Sequence, residues 1–185
     1  MAVSSISPNT PETDNYWAPV IRLALRFGGG VGVVCGLWMV GLQMTGSNGF
    51  GPKQIMAQLL VPLAALASEW LLRRQVHPLK PGLVRSLGVG VLTALLAALI
   101  SVASLIGLAY GAGEQALARH RAEVLEIVRV QQRENSKVKL SAREAEQQIR
   151  NVQSLTVGDM TTGNFTQVLL LGLVLALPGG IFLRE

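Results

Sequence analysis

The sequence predicts an all-α integral membrane protein: four transmembrane helices, with an extramembrane amphipathic helical hairpin between the third and the fourth. Half of the 185 residues are hydrophobic and only 15% are charged. The charges are segregated, leaving four apolar runs of about 20 residues, the length a helix needs to cross a hydrocarbon core. These runs lack the alternation of barrel strands, and backbone groups in lipid must be paired internally, so helices fit and strands do not.

The elements follow in order. Residues 1–18 are polar, rich in Pro, Ser and Thr, and carry no lysine or arginine, so they lack the basic start of a cleaved signal peptide. They read as a flexible tail ahead of an uncleaved span. Residues 19–112 hold spans one to three, roughly Val20–Met44, Lys53–Leu72 and Val84–Ala112. Residues 113–160 form the hairpin, and 161–185 hold span four, roughly Asn164–Leu183. Alternating spans place Tyr16, Trp17, Trp70 and Phe182 at one interface and Phe50, Tyr110 and Phe165 at the other, as two aromatic belts. Basic residues close to span ends set orientation. Arg73, Arg74, Lys80 and Arg85 in or beside one short connection, with Arg22, Arg26 and Arg184, favour both termini in the cytoplasm.

Small residues recur every four positions: Gly28, Gly32 and Gly36 on span one; Ser86, Gly90, Ala94 and Ala98 on span three; Gly172, Ala176 and Gly180 on span four. Helices in lipid gain little from hiding apolar side chains from one another, so close backbone approach along such stripes is the available adhesive. "GGGVGVVCG" is therefore a packing face; no strand precedes it, and its glycines miss the phosphate-loop spacing. Contacts within the chain and contacts in a homo-oligomer both fit the stripes. Pro62 and Pro178 should kink spans two and four, as features of shape.

In the hairpin, a helix over 113–135 places Leu117, Val124, Leu125, Ile127 and Val128 on one half, opposite charged residues. Asn135-Ser136-Lys137 interrupts it. "LSARE" then reads as a capping box on Ser141 and Glu144, opening a second helix with Ala142, Ala145, Ile149 and Val152 in a narrow stripe. Leu117, Val124, Val128, Ile149 and Val152 are the face expected to meet a partner or the membrane surface.

Few residues offer chemistry. Glu69 is the ionisable group inside a span, a functional candidate by position. It lies one turn from the span's end with Arg73 at i+4, which favours a locally paired carboxylate reaching the interface. Gln58, Thr93, Ser101 and Ser104 are expected to satisfy themselves with interhelical or own-backbone hydrogen bonds. The sole cysteine, Cys35, and the two histidines, His77 and His120, offer no disulfide or metal cluster. No HExxH, nucleophile elbow or phosphate loop occurs, so neither an enzyme nor a cofactor is expected. The net charge of +5 flanks apolar runs without interleaved aromatics, which excludes a nucleic-acid partner.

The glycine-led span "SLGVGVLTALLAALISVASLIGLAYG", followed by "EQALARHRAEVLEIV", "LSAREAEQQIRNV" and a last apolar run ending "FLRE", resembles the small bacterial membrane proteins grouped as domain of unknown function 4199. The likeness rests on order and spacing over roughly residues 80–185. It implies a four-span protein of the bacterial inner membrane and supplies no catalytic or binding residues. The leading functional expectation is a non-enzymatic scaffold or accessory subunit of a membrane complex, its partners the lipid bilayer and either another membrane protein or a second copy. The alternative is a small transporter or channel component, with Glu69, Gln58 and the kinked helices lining a path.

Overall fold

The computed structural model describes residues 16–77, 80–134 and 142–184, without the side chain of Ala142. Every regular element among them is a helix. α1 (Ala18–Met44) starts with a proline in its first turn, where the missing N–H costs nothing. A 3-10 turn at Pro52–Gln54 leads into α2 (Ile55–Gln58), and a break at Leu59 separates it from α3 (Leu60–Val76). Pro62 supplies no N–H to the carbonyl of Gln58, so the helix loosens one turn upstream of the ring. α4 (Leu83–Glu134) is the longest element, α5 (Ala142–Gln153) is short, and α6 (Val157–Phe182) runs through Pro178. Four of these segments are long and apolar enough to cross a membrane.

α4 is the hub. It packs against α1, α3 and α6, and α3 touches all three, while α1 and α6 scarcely meet. The small-residue stripes lie at these seams, within one chain. Gly28 faces the Thr93 backbone, Gly32 faces Ile100, and Gly36 faces Ser104, so α1 runs parallel to α4. Gly172 faces Ala94, Gly180 faces Leu87, and Gly90 lies against Ala176, so α6 runs antiparallel. Ala98 joins Val31, Cys35, Val61 and Val168 in the middle of the core. Val20, Leu23, Leu72 and Val89 fill one end of the bundle, and Met39, Phe50, Leu105 and Leu108 the other. Outward, Leu37, Leu63, Val84 and Val174 stay exposed. Such a surface suits hydrocarbon.

The start of α1, the end of α6 and the α3–α4 connection share one end of the bundle. There Trp17 covers Gly88, the Arg85 guanidinium lies 4.3 Å from the Tyr16 ring, and Arg74 lies 4.1 Å from the Trp70 ring. This is the arrangement that four alternating spans require.

Beyond the apolar part of α4, the break falls within a residue of the expected end of span three, while the start of α6 differs from the expected one. Gly113 breaks the helix with φ 72° and ψ 179°, a region open to glycine alone, so the outer segment starts after it. Residues 114–134 and α5 lie side by side. Gln132 Nε2 donates to the Ala145 carbonyl at 3.2 Å and to Gln148 Oε1 at 3.1 Å, and Arg121 Nε donates to the Leu155 carbonyl at 2.9 Å. Val152 is buried here, and Leu117, Val124, Val128 and Ile149 are half-buried; Ile127, expected beside them, faces outward. α6 begins seven residues earlier than the span read from hydropathy. Thr156 and Asp159 form a reciprocal capping box that carries the helix back into the polar segment. The tail through residue 15, the Asn135–Lys137 interruption and the Ser141 capping box lie outside the described residues.

A methyl group at Gly28 would stand 2.6 Å from the Thr93 carbonyl oxygen, whereas nothing lies within 4 Å of one at Gly30. Gly28→Ala should therefore lower stability by about 1–3 kcal/mol, as overpacking does. Gly30→Ala should leave it unchanged or slightly raised; unfolding in detergent micelles measures both.

Candidate functional site

One face of α4, made of Ser86, Gly90, Thr93, Ala97 and Ser101, looks into the bundle, and all five are buried. Their spacing of three and four residues keeps them in line along the helix. Opposite them α3 and α6 present polar groups of their own. Thr93 Oγ1 donates to Ser68 Oγ at 3.0 Å and approaches the Val89 carbonyl at 2.7 Å, while Ser68 donates to the Ala65 carbonyl. Farther along, Ser101 Oγ donates to Asn164 Oδ1 at 2.9 Å, and Asn164 Nδ2 donates to Gln54 Oε1 at 3.2 Å. Ser104 bonds its own helix through the Ile100 carbonyl. Thus Thr93, Ser101 and Ser104 are satisfied as the sequence implies. Gln58 is not: it is buried, and neither amide atom has a hydrogen-bond partner.

Glu69 departs further from expectation. Its side chain is 0% exposed and turned inward, and neither carboxyl oxygen has a hydrogen-bond partner. No ion pair joins it to Arg73, which lies on the exposed side of α3. The reason is steric. Glu69 is on the inner face of α3 with Ala65, Ser68 and Leu72, and glycines stand across from it on both neighbours. A Cβ at Gly90 would meet its Oε1, and a Cβ at Gly179 would meet its Oε2. The carboxyl group occupies the room these two missing side chains leave. Gly179 sits one place off the stripe read on span four, so spacing gave it no notice. One turn from Gly90, towards the end of the bundle, the Ser86 hydroxyl is also buried and unpartnered, as is the adjacent Arg85 Nε.

The profile of the family described as protein of unknown function matches residues 26–185, from Arg26 in α1 onward through the outer pair and the other three apolar helices. The chain belongs to the DUF4199 family. No curated protein and no solved structure matches it.

This DUF4199 protein has a second polar cluster at the opposite end of the bundle, outside the spans. Asn48 Nδ2 lies 2.9 Å from His120 Nδ1 and donates to Glu123 Oε2 at 2.6 Å, while Phe50 packs near the imidazole. The amide leaves Nδ1 as an acceptor, which fixes the neutral ring with its proton on Nε2. Burial holds the His120 pKa below the ordinary imidazole value, with Glu123 opposing. No group of three or more metal-ligating side chains occurs among the described residues.

A folded-state pKa below the unfolded one means a contribution that is complete above about pH 6.5 and lost as the pH falls. The contact between the α1–α2 connection and residues 114–134 should therefore loosen on acidification below that point. Hydrogen exchange of residues 46–54 at pH 7.5 and pH 5 measures this, and His120→Gln should flatten the difference.

Proposed function

We propose that the protein is a small proton-handling transporter or channel component, with Glu69 as the group that takes up and releases the proton. The observation that carries this reading is the carboxyl group itself, wholly buried between Gly90 and Gly179 without a donor or a counter-charge. An ionised carboxylate so placed in low dielectric costs several kcal/mol, so the acid has to carry a proton or hold a cation. A metal cation would need several oxygen ligands. The surroundings offer Gly90, Gly179, Ala176 and Leu66, with the Ser86 hydroxyl a turn away, so a proton is the cargo that fits. The buried hydroxyls and amides of Ser86, Thr93, Ser68, Gln58 and Ser101 form an interrupted polar seam along α4 that would carry it.

The outer pair of helices supports a second reading, that of a scaffold or accessory subunit. Residues 114–134 present Ile127 and Val130 outward beside Glu123, Glu126 and Lys53, along a groove that a partner segment would fit. In this reading the pair is an extramembrane docking element. Deleting 114–155 would then abolish partner capture without loss of membrane insertion.

Glu69→Gln decides the first reading. In proteoliposomes carrying an internal pH dye, it should reduce protein-dependent proton flux at least tenfold without lowering the thermal unfolding midpoint. Flux equal to that of the unsubstituted protein would remove Glu69 from the mechanism.

A further inference from the structure

The outer surface between α3 and α6 carries an apolar groove of about 530 Å³, lined by Leu63, Leu66, Trp70, Leu175, Pro178 and Phe182. Leu63, Trp70 and Phe182 are exposed there. At the mouth of the groove the last turn of α3 supplies a basic pocket made by Trp70, Arg73, Arg74 and His77. Trp70 belongs to both. Its indole forms the wall between them, with the Arg74 guanidinium 4.1 Å from the ring. A tryptophan at the end of a span marks the level of lipid headgroups, which puts the basic pocket at headgroup depth and the groove at acyl-chain depth.

We infer that this composite is a binding site for one anionic phospholipid, its phosphate held by Arg73, Arg74 and His77 and an acyl chain lying in the α3–α6 groove. Charge complementarity selects the occupant. Two guanidinium groups and an imidazole offer donors to a phosphate, and arginine's planar fork suits phosphate oxygens especially well. A zwitterionic lipid would set its own cation against the two arginines. A basic pocket adjoining a groove between transmembrane helices is how acidic headgroups are generally recognised. The compact ring of Pro178 and the absence of a side chain at Gly179 leave room on this flank of α6 for the groove. Glu69 does not repel the lipid directly, because Leu66 and Gly179 stand between the carboxyl group and the groove. The site is independent of any role of Glu69 in proton transfer.

Native mass spectrometry of the full chain, titrated with phosphatidylglycerol and with phosphatidylcholine of the same acyl chains, tests this. Phosphatidylglycerol should bind at least tenfold more tightly. Arg73→Gln with Arg74→Gln should abolish that preference, while Arg22→Gln with Arg26→Gln, which alters basic residues elsewhere near the same end, should keep it. Leu63→Trp, on the exposed wall of the groove, should weaken both lipids, and inorganic phosphate at millimolar concentration should displace neither. Equal binding of the two lipids, or a preference that survives the Arg73/Arg74 change, would overturn the inference. So would an equal loss with Arg22 and Arg26, which indicates diffuse charge attraction. Full displacement by phosphate would instead make this a site for the free anion, and unaltered binding in Leu63→Trp would remove the groove from it.

Discussion

In a hydrocarbon solvent two helices gain almost nothing by covering each other's apolar side chains, so their contact free energy has to come from nearness. In this protein nearness depends on the sides of α4. Gly28, Gly32 and Gly36 bring α1 onto one of them, and Gly172, Ala176 and Gly180 bring α6 onto another. Dispersion between atoms falls steeply with separation, so a single methyl group in either seam would forfeit contacts along a whole turn.

The same closeness creates the unusual part of the interior. Where α3 joins the α4–α6 seam, the missing side chains of Gly90 and Gly179 leave a space that Glu69 fills. Packing thus holds an acid in a place where solvation would not. The cost of that placement is what makes the group a candidate for function, because the carboxyl group touches α4 and α6 from its place on α3. Such contact between one ionisable group and a helix interface is the physical requirement for linking proton transfer to a conformational step.

Much of the fold was legible in the sequence because hydropathy and small-residue spacing report on it directly. The four apolar helices are where composition places them, and the stripes led by Gly28, Gly90 and Gly172 lie at helix seams. Boundaries set by local backbone chemistry were harder to read. The end of span three was an exception, since the sequence placed it at Ala112 and the helix breaks at Gly113. The Thr156–Asp159 capping box was present in "TVGD" but lay outside the apolar run that defined the span. The direction of Glu69 was not legible. Arg73 at i+4 satisfies the helical rule for a local pair, and the choice against it depends on Gly179, which is distant in sequence and off the periodic stripe. His120 is buried for the same kind of reason, since Asn48 and Phe50 from another connection cover it.

Whether Glu69 occupies the room left by Gly90 can be read from a double-mutant cycle. Gly90→Ala in the unsubstituted protein should cost about 1–3 kcal/mol of unfolding free energy in micelles, because its new methyl group meets the carboxyl oxygen. In a Glu69→Ala background the same change should cost at least about 1 kcal/mol less, a coupling well above the scatter for independent sites. Additive effects, with coupling below about 0.5 kcal/mol, would mean that Glu69 does not occupy that room.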